Sequence, residues 1–244
     1  MLTLGVFLYL VSSKSIIYTI YTTRMKWKAL LFLFNVIIFS CTDKDRNSNS
    51  FSETSRDSTS IWISTSKNKS LSKLERISLL NKASLLISQY PDNLIKTKSL
   101  VELSSAYRKI GDTISFLNKN KALINLSKII EDFKSHGEGH WELAKYLRNT
   151  KPDSALYHYK EAYTLFLKAD LDSTSKNYPG IVLQLAAILK DKNKDHTGAE
   201  KDIVKAIKFF KENDTKEKLF TAHNVLAITQ NGKTMTKKII LQKR

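Results

Sequence analysis

Glycine and proline are scarce in this chain, 7 and 3 of 244 residues, and their scarcity removes the folds that turn most often. A sandwich or barrel of short strands needs a turn signal about every 8 to 12 residues, so the composition favours long helices joined by short connections. Cysteine occurs once, at Cys41. No intrachain disulfide can form, and no zinc centre of several thiolates can be built. Acids are outnumbered, 23 against 40 cations, leaving a formal charge of +17. Only seven of those cations are arginine, and they alternate with polar residues along would-be helix faces. That pattern argues for a solvated lysine-rich surface and against nucleic-acid binding by this chain. Also missing are a glycine-rich phosphate loop, a Gly-x-Ser-x-Gly elbow and a dinucleotide fingerprint. The expectation is no enzyme, no catalytic residue, no cofactor and no resident metal.

What is present begins with an address. Met25-Lys26-Trp27-Lys28 is a basic start, followed by the apolar run Ala29 to Phe39 and then Ser40-Cys41. The run is too short to cross about 30 Å of hydrocarbon as a helix, and its layout is that of an export signal. Ile38-Phe39-Ser40-Cys41 resembles the bacterial lipobox, with Phe39 in place of the usual small residue. The resemblance implies cleavage before a lipid-modified Cys41, hence a lipid anchor in a bacterial membrane and a cell-envelope location facing the periplasm or the cell surface. Residues 1–40 are thus an export signal whose true start is Met25. Residues 41–70, rich in Ser, Asn, Thr, Asp and Lys, are expected to be a disordered tether, because such a composition cannot offset its own ordering entropy.

From residue 71 the pattern is helical. Ser72-Lys73-Leu74-Glu75 has capping-box form and opens an apolar period through Ile77, Leu80, Ala83 and Ile87. Tyr90-Pro91-Asp92-Asn93 ends it, Leu94 to Lys109 follows, and Gly111-Asp112 makes the next turn. Gly137 and Gly139 predict a break, with a fourth helix starting at Trp141. Asp153 is expected to cap a fifth, Ile181 to Leu189 lies in a sixth, Thr197-Gly198-Ala199-Glu200 opens a seventh, and Asp214 with Glu217 an eighth. Nothing alternates with period two, so the fold class is all-α.

Small residues recur in this stretch. Ala155, Tyr159 and Ala162 stand at i, i+4 and i+7, and so do Ala199, Ile203 and Ala206, with Ala187 twelve residues before Ala199. Antiparallel helices approach closely only where side chains are small, and the larger residue between them fills the adjoining groove. The spacing resembles the second helix of a tetratricopeptide repeat (TPR), and Leu103-Ser104-Ser105-Ala106-Tyr107 with Gly111-Asp112 resembles the end of its first helix and turn. The intervals from Ala155 to Ala199 and from Ala187 to Ala227 exceed the usual period of about 34 residues. Gly139-His140-Trp141-Glu142-Leu143-Ala144, Ser154-Ala155-Leu156-Tyr157-His158-Tyr159 and Lys205-Ala206-Ile207-Lys208-Phe209-Phe210 further resemble the N-terminal sensor half of Flavobacteria-type TPR signalling proteins. That resemblance implies an α-solenoid over residues 71–232 that binds a protein or peptide, in a family where a membrane helix and a DNA-binding or histidine-kinase effector usually follow. Residues 233–244 form a basic tail instead. One base earlier, the codons of Thr234-Met235-Thr236 encode an Asp, which leaves two readings of the tail: out of frame or truncated, or a genuine short end. The alternative function is therefore a non-signalling remnant that has lost its effector.

Candidate site residues are few. A partner groove on the first helices is expected near Trp141, Tyr146, Leu183 and Gln184. His136-Gly137-Glu138-Gly139-His140 lacks the spacing of a helical zinc motif and reads as a flexible connection. His158 reads as a packing or surface residue, and His196 and His223 have no partners in sequence. Asp191, Asp195 and Glu200 read as loop and cap carboxylates, and Tyr157, Tyr159 and Tyr163 as core and rim.

Overall fold

The structure, a computed structural model, describes residues 58–242. Cys41 and the proposed export signal lie outside the described residues, as does most of the proposed tether. Among the described residues there are nine helices and no strand. They are α1 over residues 58–65, α2 (Lys73–Ser88), α3 (Leu94–Ile110), α4 (Thr113–Ile129), α5 (Phe133–Leu147), α6 (Pro152–Phe166), α7 (Tyr178–Lys192), α8 (His196–Glu212) and α9 (Lys216–Gln242).

Each helix packs mainly on its sequence neighbours, and α3 also meets α5 while α7 meets α9. That is the connectivity of a solenoid of helix pairs, in which first helices form one layer and second helices the other. The pairs are α1/α2, α3/α4, α5/α6 and α7/α8, with α9 beginning the next. Three overlapping cores run along the stack, the second and third sharing α7.

The repeat register emerges from the most deeply buried positions. On the first helices a pair seven residues apart is buried in every unit: Thr59 and Ser66, Thr97 and Ser104, Gly137 and Ala144, Gly180 and Ala187, Ala222 and Thr229. On the second helices the buried positions follow i, i+4, i+7 and i+11: Phe116, Asn120, Leu123 and Ser127, then Ala155, Tyr159, Ala162 and Phe166, then Ala199, Ile203, Ala206 and Phe210. Leu80, Ala83 and Ile87 supply the last three of these positions in α2. The unit is about 40 residues long. Ala227 is exposed, so the counterpart of Ala187 is Thr229.

Two glycines explain why the chain needs these small positions. A Cβ on Gly137 would stand 2.7 Å from the Phe166 ring, and one on Gly180 would stand 2.8 Å from that of Phe210. The first of the two small buried positions of one helix and the last buried aromatic of its partner thus meet backbone to ring. The expected break at Gly137 and Gly139 does not occur. Both are interior to α5, which starts at Phe133 and is capped by the Asp132 carboxylate accepting from Ser135 N–H. Close packing here outweighs the ~1 kcal/mol that glycine costs a helix.

The turns are also related. Gly111, Glu131, Lys194 and Asp214 all have positive φ (79, 57, 69 and 48°). The next residue's N–H in each case bonds back to the fifth carbonyl before it: Asp112 to Tyr107, Asp132 to Ser127, Asp195 to Lys190 and Thr215 to Phe210. This closes the helix end in Schellman fashion, while Asp112, Asp132 and Asp195 cap the following helix. The cap of α8 is therefore Asp195 rather than Thr197. Glu200 instead meets Lys233 Nζ at 2.8 Å. Helix α6 begins at Pro152 without a side-chain cap, so Asp153 is a first-turn residue, not the cap.

Two boundaries move. The expected tether reached residue 70, yet α1 is a helix with Ile63 in the first core, Thr59 bonded to the Tyr90 hydroxyl and Arg76 donating to the Ser66 carbonyl. Buried Thr and Ser fill the positions where alanine was sought, so the segment looked merely polar. At the other end α9 continues through Gly232 to Gln242, with Gly232 packed against the His196 ring.

Candidate functional site

On the first-helix face, α3 and α5 diverge over a cleft of about 440 Å³, closed at one end by Tyr178 at the start of α7. Helix geometry selects its lining. Val101, Ser105 and Ala106 from α3 and Trp141 from α5 form the floor, while Lys98, Lys109, Lys134 and Lys145 bring ammonium groups to the walls. Glu102, Asp132, Glu138 and Glu142 set carboxylates among them.

Trp141 is the anchor of this cleft. Its ring stands edge-on to Tyr178 (centroids 5.2 Å apart) and Phe166 (6.1 Å), and Lys145 Nζ lies 3.9 Å over its face. Its indole Nε1 is buried and finds no hydrogen-bond partner among the described residues. A buried donor left unpaired costs roughly 1–3 kcal/mol.

Glu142 accepts from Lys145 Nζ at 2.8 Å and from Arg108 Nε. Burial pushes its carboxyl up, but the two cations outweigh burial and hold it below its ordinary value. Burial lowers Lys145 despite the Glu142 carboxylate beside it. Glu138 behaves differently. Burial raises it to about 7, Lys134 opposes the rise, and the carboxylates of Asp132 and Glu142 add to it. Burial and the nearby Glu138 carboxylate push the Tyr178 hydroxyl up to about 12. The cleft thus combines lysine cations, a Glu142 carboxylate held ionised by two of its neighbours, and in Glu138 a carboxyl poised to be neutral or charged near pH 7.

The four expected groove residues do not converge. Trp141 lines the cleft. Tyr146 lies toward α4, its ring 5.3 Å from Phe116, and Leu183 is buried in the third core. Gln184 is half-buried and lines neither cleft. Leu183 also contributes to a second hollow of about 500 Å³, between α6 and α8 over α7, where Tyr163 and the exposed Tyr157 stand. Tyr159 is buried. Ala155, Ala162, Ala187, Ala199, Ile203 and Ala206 are all fully buried at helix crossings. Sequence reasoning missed Glu138, Lys98 and Lys109. The signal available for Glu138 was its place three residues before Trp141, one turn along the same helical face.

No family model matches the chain, and no curated protein matches it. A solved structure does: the nearly identical TPR-like repeats of a Podosopora anserina protein described as a kinesin light chain. Identity is 13%, the match covers 76% of this chain and 88% of that one, and the TM-score is 0.56. The fold is a TPR-type α-solenoid. At that identity the likeness establishes architecture alone. The pairing along the stack makes α3, α5 and α7 first helices, the layer on which the Trp141 cleft opens.

Proposed function

We propose that this chain is a lipid-anchored TPR-type scaffold of the cell envelope that binds a protein or peptide segment in the Trp141 cleft, as the sensor module of a signalling protein. The observation that carries the reading is the Trp141 ring, edge-on to Tyr178 and under Lys145 Nζ, lining a cleft with four lysines. Apolar atoms of an extended segment cover Val101 and Ala106 beside the Trp141 ring, and lysine ammoniums hold acidic side chains at the rim. No helix among the described residues is long and apolar enough to cross a membrane, and the lipobox resemblance at Cys41 supplies the tether.

A randomised peptide library selected on the full chain tests the cleft. Enriched peptides should carry acidic residues around an apolar centre, and Trp141→Ala or Lys98→Glu should weaken them at least tenfold. Peptides that bind these variants and the wild type equally would remove the cleft from the proposal. The anchor is tested separately: labelled fatty acid should enter the mature protein and be lost in Cys41→Ser, and unchanged labelling would refute lipidation.

A further inference from the structure

The opposite face of α5 carries an arrangement that the cleft does not use. His136 and His140 are one helical turn apart on α5, pointing away from Glu138 and Lys145 and toward the second-helix layer. His158 comes from α6 to meet them. The His140 and His158 rings have centroids 5.1 Å apart, His136 and His140 5.2 Å, and the two Nδ1 atoms of His140 and His158 face each other at 2.9 Å. All three side chains are half-buried and reach water.

Two Nδ1 atoms at that distance share a single proton, one donating and the other accepting, so both rings are neutral, and a tilt of each ring off the N–N line aims both Nδ1 lone pairs at one point. Two imidazole nitrogens each about 2.05 Å from one ion at a right angle stand about 2.9 Å apart, whereas a tetrahedral ion spreads them to about 3.3 Å. The observed separation, that of a hydrogen bond, is closer to the first geometry, so the smaller rearrangement leads to it. We propose that His140 and His158 chelate a divalent transition ion of the copper or nickel class through their Nδ1 atoms, with His136 supplying a third nitrogen after a side-chain rotation. Binding needs no net proton release at neutral pH: the shared proton moves to the outer Nε2 of its own ring, both Nδ1 lone pairs go to the ion, and water completes the shell.

The electrostatic surroundings fit. Burial lowers His140 to about 4, reinforced by the neighbouring His158 and His136, and burial also lowers His136 and His158. Lys128 faces His136 unfavourably, while Asp132 and Glu161 face it favourably and Glu161 also faces His158. No group of three ligating side chains among the described residues already stands in coordinating geometry, so the chelate rests on the pair and His136 is recruited.

Nickel chloride titrated into the full chain, followed calorimetrically, should show one saturable ion per chain. His140→Ala and His158→Ala should each weaken it tenfold or more with an unchanged far-ultraviolet spectrum, His136→Ala less, and His223→Ala not at all. Should an alanine variant unfold, the wild type still decides. Its copper complex should show electron-paramagnetic hyperfine coupling to two or three imidazole nitrogens. An amino-terminal amide signature, no saturable nickel binding, or undiminished binding in folded His140→Ala would each overturn the site.

Discussion

Gly137→Ala isolates the packing on which the repeat depends. The new methyl would lie 2.7 Å from Cε1, 2.8 Å from Cδ1 and 3.2 Å from Cζ of Phe166, where carbon atoms normally rest at about 3.5–4.0 Å. The ring cannot swing aside, because Phe166 is 1% exposed and held edge-on by Trp141 and Tyr178. Overpacking of this kind costs about 1–3 kcal/mol, and the helix-propensity gain of alanine over glycine returns ~1 kcal/mol. The net expectation is a loss of about 1 kcal/mol, with α5 and α6 forced apart. Phe166→Leu should leave room for the methyl, so Gly137→Ala in that background should turn neutral or stabilising, giving a coupling of about 1–2 kcal/mol. Urea melts of the four proteins, followed by far-ultraviolet ellipticity, complete the cycle. A single Gly137→Ala variant that is stabilised by ~1 kcal/mol, as at an exposed helix interior, would show that the Gly137–Phe166 approach does not constrain the pair.

Other perturbations test the remaining parts. Ala162→Leu and Ala206→Leu, at positions with no exposure, should each lose about 1–3 kcal/mol. Ala169→Leu, beyond the end of α6 and half-exposed, should stay within about 0.5 kcal/mol, and equal denaturation midpoints for all three would refute the register. At the turns, Gly111→Ala (φ 79°) should cost about 1 kcal/mol, while Lys194→Gly (φ 69°) should be neutral or stabilising by up to ~1 kcal/mol; a matching sign in thermal melts would contradict the shared turn. Glu138 is raised to about 7 in the fold, above its unfolded value near 4.3, so the folded chain binds the extra proton and stability should fall as pH rises from about 4.5 to 7. Glu138→Gln should flatten that decline and gain on the order of 2 kcal/mol at pH 8, and parallel pH–stability curves for the two proteins would refute the burial of this carboxyl.

Much of the architecture was legible because apolar periodicity survives in α3, α4, α7 and α8, and because Ala199, Ile203 and Ala206 repeat Ala155, Tyr159 and Ala162. The first pair escaped notice for a physical reason. A helix crossing selects for size, not for hydrophobicity, and Thr and Ser satisfy it when their hydroxyls find partners. Ser66 donates to the Ile63 carbonyl, Thr97 to Leu94 and to the Asp132 carboxylate, and Ser104 to Asn120, whose amide donates to the Gly139 carbonyl. A search for alanines passes over these positions, and a composition argument assigns Thr59 and Ser66 to a tether. The glycines failed in the opposite sense. Intrinsic propensity reads Gly137 and Gly139 as a break, whereas the Phe166 and Ile124 side chains occupy the space that any side chain there would need.

That misreading also determined what could be seen of function. Treated as a loop, residues 136–140 have no faces, and the histidines and Glu138 become interchangeable polar residues. As a continuous helix they separate by half a turn: Glu138 joins Trp141, Glu142 and Lys145 toward the first-helix cleft, and His136 and His140 turn toward His158 on α6. One helix therefore supplies both a recognition floor and a nitrogen pair, and Gly137, set between those faces and against Phe166, holds α5 close enough to α6 for His140 to reach His158. Loss of that close approach should disturb both faces together. Gly137→Ala should lower the nickel affinity of the histidine pair and shift the fluorescence of Trp141, whose ring leans on the same Phe166. Unchanged metal affinity in a Gly137→Ala variant shown by its melt to be strained would uncouple the two faces, leaving the histidine geometry to α6 alone.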